Sequence, residues 1–235
     1  MLRTFLFLLA PLALLGCITS SYASERIRVS LSDEADSVRV TANHAVRVRL
    51  PSNETSVKDP PIEIQSDPRG LRINGRIFKV PRVRIEATSG TLELSVQERP
   101  EWQDKNGGTR EWLVDGTLEV AKSGTKLLVI NRVGLEEYVG GVVSGEINTK
   151  WHAEALKAQA VAARTYVLYK SMQNAQQPYD VVSSVQDQVY RGRAHINERV
   201  WEAVMKTKGR VVTHDNRPIY AAYSSTAAGP TEDAL

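Results

Sequence analysis

Apolar and polar residues alternate along the first half of the chain, from Glu25 to about Ile130. Successive side chains of a β-strand point to opposite faces of the sheet, so a period of two predicts strands that are buried on one face. The alternating apolar groups are Ile27/Val29/Leu31, Val46/Val48/Leu50, Val83/Ile85, Leu92/Leu94/Val96 and Leu118/Val120. Turn-forming residues separate these groups, which predicts a β-rich region built from antiparallel hairpins.

Local patterns refine this prediction. Asp115-Gly116 lies between two apolar runs and predicts a two-residue hairpin that joins Trp112–Val114 to Thr117–Val120. The continuous apolar run from Leu127 to Ile130 predicts a central strand. Asp215-Asn216 predicts a second hairpin near the end of the chain.

The period becomes helical after the last of these strands. One face of a short helix is predicted from four residues at 4-3-4 spacing: Leu135, Val139, Val142 and Glu146. A second helix is predicted from about Trp151 to Met172, where two apolar stripes and many alanines indicate burial on more than one side. Asn197 is a candidate N-cap for a third helix.

The predicted fold class is therefore α+β, with a β-rich N-terminal part followed by a mixed domain that contains a buried Ala-rich helix. We place the boundaries at residues 1–23 for an export signal, 24–125 for the β-rich region and 126–235 for the mixed domain. Because Leu235 directly follows a polar turn, we expect the mixed domain to be incomplete at its C-terminus.

The first residues have the pattern of an export signal, with Arg3 before an apolar core from Phe5 to Leu15. Two cleavage sites remain open. Residues 14–17 (LLGC) resemble a lipoprotein box, which would give a signal of residues 1–16 and a lipid anchor on Cys17. Cleavage after residues 21–23 (SYA) would instead release a protein without an anchor. The apolar run is too short to predict a membrane-spanning helix. The expected location is the periplasm or the cell envelope.

Composition excludes several classes of function. Cys17 is the one cysteine of the sequence, so the mature chain has no disulfide, thiol nucleophile or thiolate metal site. The four histidines show no HxxxH or HExxH spacing, so no bound metal is predicted, and no other cofactor is expected. The sequence has no GxSxG elbow, so a serine hydrolase is not predicted either. The 30 basic and 27 acidic residues nearly balance, and no nucleic-acid partner is predicted. Membrane contact is expected only through the anchor at Cys17.

Glu146 is the candidate catalytic residue because it continues an apolar helix face. Burial disfavours the charged form of a carboxyl group, so Glu146 is predicted to keep its proton, as a general acid requires. Two other interpretations remain open: Glu146 lies past the helix end in solvent, or it pairs with Lys150.

Lys157 and Arg164 are the candidate substrate-binding cations. They lie two turns apart on one helix, about 10 Å along its axis, where they can hold polar groups of an extended substrate. Solvated or ion-paired cations are the alternative interpretation. Trp151 can stack on a sugar ring, and the polar loop that begins at Ser224 is either a binding segment or a hydrogen-bonded turn.

Several blocks of the second half resemble the SpoIID/LytB domain (stage II sporulation protein D) family. They are residues 133–139 (VGLEEYV), Gly145-Glu146 followed by Trp151, residues 154–166 (EALKAQAVAARTY), 187–192 (DQVYRG) and 223–232 (YSSTAAGPTE). The resemblance covers roughly residues 110–235 and identifies the mixed domain as SpoIID-type. It implies a bacterial cell-wall protein: either a lytic transglycosylase that cuts between N-acetylmuramic acid and N-acetylglucosamine, or an enhancer of a cell-wall amidase.

The resemblance also assigns roles to residues. The family's catalytic glutamate falls on Glu146, and the basic positions of its helix fall on Lys157 and Arg164. The residues expected to line the groove beside them are Gln188, Tyr190, Ser224, Ser225 and Thr226. The chain departs from the family where the loop usually reads Ser-Gly-Gly, since it has residues 227–229 (AAG) there, and Ser224 replaces a metal-binding His of some members. The resemblance therefore implies no bound metal.

The expected reaction is cleavage of peptide-stripped glycan strands with a 1,6-anhydro product, carried by one glutamate. Hydrolases generally use two flanking carboxylates, and the only other candidates, Asp180 and Asp187, are distant in sequence. Peptidoglycan glycan strands are the expected partner. The alternatives are a non-catalytic peptidoglycan-binding enhancer of an N-acetylmuramoyl-L-alanine amidase, with that amidase as a further partner, and a structural envelope lipoprotein.

Overall fold

The computed structural model describes residues 25–52, 54–98 and 108–224. The predicted export signal with Cys17, and the groove residues Ser225 and Thr226, lie outside these ranges. Within them, no helix has both the length and the apolar character that crossing a membrane requires.

The first half of the chain forms strands, as its period of two predicts. In chain order they are β1 (Arg26–Thr41), β2 (Val46–Arg49), β3 (Thr55–Lys58), β4 (Ile62–Asp67), β5 (Gly70–Ile73), β6 (Arg76–Phe78), β7 (Arg82–Ala87), β8 (Leu92–Glu98), β9 (Thr109–Val114), β10 (Thr117–Ser123) and β11 (Lys126–Gly134). The predicted central strand is confirmed, because β11 lies between β10 and β1.

The second half is mainly helical. It contains α1 (Leu135–Glu146), α2 (Ala153–Gln173), β12 (Val181–Val182), α3 (Glu198–Lys206), β13 (Thr213–His214) and β14 (Arg217–Pro218). The three predicted helices are confirmed, the second within two residues of each predicted end. Oδ1 of Asn197 accepts a hydrogen bond of 3.0 Å from the Val200 amide, as an N-cap does.

The described strands other than β13 and β14 form one sheet. Its main path runs β3-β2-β7-β10-β11-β1-β4-β5-β6, while β8 pairs with β1 and β9, and β12 pairs in parallel with β1. β1 is long enough to change partners: its first half pairs with β11 and its second half with β4 and β8. Register shifts between Ser30 and Ala35 mark the point where the strand bends, so the sheet curves around its own apolar face.

The helices cover the end of the sheet where α1 begins. α1 follows β11 without a loop, and α2 packs against both α1 and α3. Apolar residues of the strands and helices form one core cluster, to which Ile27, Leu118, Val142 and Leu156 belong without exposed surface. This arrangement confirms the predicted α+β fold class. The boundary between residues 125 and 126 stays a prediction.

The hairpin at Asp115-Gly116 is a wrong prediction. β9 pairs with β8, whereas β10 pairs with β7 and β11, so the turn carries the chain from one neighbour to another. The carbonyl groups around the turn bind elsewhere: Asp115 O accepts from Nδ2 of Asn131, and Leu113 O accepts from the Arg193 amide. By contrast, the turn at Asp215-Asn216 is confirmed: it joins β13 to β14 with positive φ at both residues.

Candidate functional site

Glu146 is the last residue of α1 and is partly buried. Its Oε1 accepts a hydrogen bond of 2.6 Å from the Val189 amide. Within the described ranges Oε2 has no hydrogen-bond partner, and Glu146 makes no ion pair with Lys150. The side chain is therefore neither dissolved in solvent nor neutralised by a cation.

Two glycines of α1 let the Val189 segment reach the carboxyl group. A Cβ atom on Gly145 would lie 2.1 Å from the Val189 carbonyl oxygen, and one on Gly141 would lie 2.6 Å from the ring of Tyr190. The Arg191 amide also donates a hydrogen bond of 3.2 Å to the Gly141 carbonyl. Residues 189–191 thus lie flat against the helix, and any side chain at Gly145 would push the Val189 amide away from Glu146.

Gln188 connects this segment to two tyrosines. Its Oε1 accepts from the Tyr138 hydroxyl at 2.8 Å, and its Nε2 donates to the Tyr223 hydroxyl at 2.9 Å. Burial, followed by the negative charge of Glu146, raises the pKa of Tyr223. Tyr223 is therefore a neutral hydroxyl group on which the charge of Glu146 acts.

Tyr190 lies behind the site. It is buried, its ring stacks on Tyr138 at 5.3 Å and on Trp112 at 6.2 Å between centroids, and its hydroxyl donates to Oδ1 of Asn131. Gln188 is likewise without exposed surface. Both residues hold the wall of the site in place, so the expectation that they contact substrate directly is corrected by their burial.

Arg164 also has a position that differs from the expectation. Its side chain is 0% exposed and makes an ion pair of 2.6 Å with Glu136. The guanidinium group also donates to the carbonyl oxygens of Ala160, Val204 and Arg210. These contacts join α1, α2 and α3. Because the guanidinium group is buried and bonded within the protein, it is not exposed on a groove.

Lys157 faces α3. Its Nζ makes an ion pair of 2.6 Å with Glu154, and its charge acts on Glu202 of α3. Gln159, two positions on and therefore about 200° around the helix, lies beside the Tyr223 hydroxyl. The contacts of α2 thus bring Gln159 to Tyr223, whereas Lys157 contacts Glu154.

Of the remaining predicted residues, Trp151 and Ser224 lie at the surface. Trp151 is 50% exposed in the turn between α1 and α2, five positions after Glu146, and its carbonyl accepts a hydrogen bond from Arg199. Ser224 is exposed and follows Tyr223 directly. Both side chains are accessible to solvent, while Ser225 and Thr226 lie outside the described residues.

The structure adds Tyr223, Gln159 and the Val189 amide, which the sequence analysis did not select as site residues. Gln159 is a polar residue within an alanine-rich helix, and its Nε2 is buried without a hydrogen-bond partner in the described part of the chain. A glutamine among the alanines of a buried helix is visible in the sequence and could have marked Gln159 as a candidate site residue. The described ranges hold no group of three or more His, Cys, Asp or Glu residues arranged for a metal ion.

The fold and the site together define an α+β domain in which a single partly buried carboxyl group ends one helix beside a second, alanine-rich helix. Residues 123–214 match the model of the family described as "SpoIID: Stage II sporulation protein". The resemblance found in the sequence is confirmed: residues 123–214 are similar to the SpoIID family.

Curated relatives agree with this assignment. The chain is 36% identical over 120 residues to "Stage II sporulation protein D" of Bacillus subtilis (strain 168), a match that covers 45% of the chain and 35% of the relative. It is 41% identical over 92 residues to "Amidase enhancer" of the same organism, covering 39% of the chain and 12% of the relative. An uncharacterized protein of Brachyspira hyodysenteriae is 37% identical over 120 residues, covering 51% of the chain and 33% of the relative. The chain spans about a third of the length of the Brachyspira protein and of the stage II sporulation protein D.

Proposed function

We propose that the chain acts on the bacterial cell wall as a peptidoglycan lytic transglycosylase, with Glu146 as its acid and base. The observation that carries this proposal is the 2.6 Å hydrogen bond from the Val189 amide to Oε1 of Glu146. This bond orients the carboxyl group and leaves Oε2 for the substrate. A positioned carboxyl group of this kind can give a proton and later accept one.

The proposed reaction uses one proton twice. Glu146 gives its proton from Oε2 to the glycosidic oxygen between N-acetylmuramic acid and N-acetylglucosamine, and the bond to the anomeric carbon breaks. The 6-hydroxyl group of the muramic acid attacks that carbon while the carboxylate of Glu146 takes the hydroxyl proton. A 1,6-anhydro ring and a free 4-hydroxyl group result, and Glu146 is protonated again.

Neither Asp180 nor Asp187, the two other candidate carboxylates, is placed for hydrolysis in the described part of the chain. The Asp180 carboxylate accepts hydrogen bonds from the backbone amide and the guanidinium group of Arg28. Asp187 accepts from the Tyr166 hydroxyl at 2.8 Å and the Val182 amide at 2.9 Å, and it pairs with Lys170. Because both candidates are bound to structural partners, neither is available as the second catalytic group of a hydrolase. This favours transglycosylation.

The proposed glycan contacts surround Glu146. The charge of Glu146 acts on Tyr223, Gln159 lies beside Tyr223, and Trp151 offers an exposed ring on which a sugar can stack. Ser224, Ser225 and Thr226 follow Tyr223 along the chain and complete the proposed groove. Lys157 remains a proposed contact for a more distant part of the strand.

Replacement of Glu146 by Gln tests the proposal. Glu146→Gln keeps an oxygen that accepts from the Val189 amide but removes the transferable proton, so glycan binding should persist while cleavage of peptide-stripped strands stops. Glu202→Gln is the matched control, because Glu202 is an exposed residue of α3 paired with Lys206. Equal cleavage by wild type and Glu146→Gln would overturn the assignment of Glu146.

The relative named "Amidase enhancer" supports a second candidate, a non-catalytic glycan-binding protein that stimulates a cell-wall amidase. In that case purified wild-type chain releases no anhydro product, yet it raises the rate of an added N-acetylmuramoyl-L-alanine amidase, and Glu146→Gln does so equally well. Both candidates place the protein in the cell envelope. Fractionation of cells that express the tagged chain tests that location.

A further inference from the structure

A cleft lined by arginines lies on the outer face of the sheet, away from Glu146. It has a volume of about 320 Å³. Its lining residues are Arg26, Arg47, Arg49, Arg84, Glu86, Thr117 and Arg132, and we call this set the arginine cleft. None of these side chains is bonded to a residue of the Glu146 site, so the cleft is a separate feature of the described structure.

Strand geometry explains how the arginines come together. Alternate residues of β2 and β7 are buried in the core, so Arg47, Arg49 and Arg84 between them point outward. Pairing then places Arg47 opposite Glu86, Glu86 opposite Thr117, and Thr117 opposite Arg132 in one row across the sheet. With a strand spacing of about 4.8 Å, the cleft extends about 19 Å from β2 to β1.

The charges of the cleft are only partly compensated. Arg47 pairs with Glu86, and Arg84 and Arg132 share the buried Glu119 at 2.7 and 3.1 Å. Arg26 and Arg49 are exposed and make no ion pair with any described residue. The five arginines and the two carboxylates, Glu86 and Glu119, therefore have a net charge of +3. This equals the formal net charge of the whole chain, +3.

The register shows that this concentration does not serve the fold. Arg49 lies directly opposite Arg84 on the neighbouring strand, and like charges in that position destabilise a sheet. The fold would be as well served by neutral side chains at Arg26 and Arg49. An anionic ligand would supply the negative charge that Arg26 and Arg49 do not find within the described structure.

We propose that the arginine cleft binds an extended acidic polysaccharide through its carboxylate or phosphate groups. Guanidinium groups bind both oxyanions through paired N–H donors, and the length of the cleft accommodates more than one such group. Thr117 adds a hydroxyl group for sugar hydroxyls. The lining contains no aromatic ring on which a nucleotide base can stack and no apolar side chain that can enter a lipid layer.

Titration calorimetry with the full chain tests the proposal and identifies the anion. The probes are polygalacturonate, which carries carboxylates, poly(glycerol phosphate), which carries phosphates, and dextran as the neutral control. We expect at least one acidic polymer to bind, with an affinity that falls as salt increases, and dextran not to compete with it. Glu146→Gln should bind these polymers as wild type does, so this test does not depend on the reaction proposed for Glu146.

The double substitution Arg26→Gln and Arg49→Gln should weaken binding about tenfold or more, because two uncompensated donors are lost. Its urea midpoint should not fall below the wild-type value, since no ion pair is broken and the repulsion between Arg49 and Arg84 is removed. The matched control is Arg39→Gln with Arg76→Gln, which removes the same charge from β1 and β6 outside the cleft and should change affinity less than about twofold.

Three outcomes would overturn the proposal: neither acidic polymer binds, the cleft and control variants lose affinity equally, or single-stranded DNA or anionic lipid vesicles bind as tightly and respond to the same substitutions.

Discussion

The Glu146 carboxyl group and the Val189 amide are 43 positions apart in sequence and are joined by a hydrogen bond of 2.6 Å. The contact depends on Gly145, because the Val189 carbonyl occupies the space that a side chain there would need. The orientation of the proposed acid is thus set by backbone packing between α1 and residues 189–191.

Gly145→Ala should therefore damage both stability and cleavage. A Cβ atom 2.1 Å from the Val189 oxygen forces residues 189–191 outward, and overpacking of this kind costs about 1–3 kcal/mol. Urea denaturation and glycan cleavage measure the two effects. Gly108→Ala is the control, since a Cβ atom there meets nothing within 4 Å. Wild-type cleavage by Gly145→Ala would contradict the proposed role of the Val189 amide.

Arg164→Met should destabilise the chain strongly. It leaves the buried Glu136 carboxylate without its cation, and breaking a buried pair from one side costs about 3–5 kcal/mol. Lys157→Met on the same helix loses only a partly exposed pair and should cost less than about 1 kcal/mol. Urea denaturation of both variants measures the two losses. Similar midpoints for Arg164→Met and Lys157→Met would show that Arg164 has no special structural role.

Tyr223→Phe should reduce stability by about 1–3 kcal/mol, because Gln188 Nε2 then keeps only the weak contact of 3.4 Å with the Ala163 carbonyl. Cleavage should fall through kcat more than through KM if the hydroxyl acts near Glu146. Tyr169→Phe removes the same atom from a tyrosine that is held by its ring contact with Tyr220. If the Tyr169 and Tyr223 variants behave alike, the hydroxyl group of Tyr223 has no particular function.

The carboxylate under the arginine cleft should make stability depend on pH. Burial raises the pKa of Glu119, but the hydrogen bond from Arg84 and the charges of Arg132, Arg84 and Arg82 outweigh it and leave the pKa below the ordinary 4.5. The stabilisation from Glu119 is therefore complete above about pH 4.5 and is lost as pH falls through the lowered pKa.

The measurement is the stability difference between wild type and Glu119→Gln as a function of pH. It should be largest near neutrality and shrink below about pH 4.5. Glu63→Gln, in an exposed pair with Arg39, should show little difference at any pH. A difference for Glu119→Gln that is constant from neutral to acidic pH would contradict this account.

The sequence predicted the strands and helices well, because the period of the apolar residues reports directly which face is buried. It failed at Asp115-Gly116, since a two-residue turn does not reveal whether its flanking strands pair with each other or with β8 and β11. It also placed Arg164 in a groove, because helical spacing does not show which cation meets a buried partner such as Glu136. The position of Glu146 at a helix end was predictable, whereas its contact with Val189 depends on tertiary packing.

Mass spectrometry of the products from peptide-stripped glycan tests the central claim most directly. Wild-type chain should release fragments that end in 1,6-anhydro-muramic acid, and Glu146→Gln should release none while Glu202→Gln behaves as wild type. Fragments with reducing ends, or the complete absence of cleavage by wild type, would contradict the claim that Glu146 drives a transglycosylase reaction.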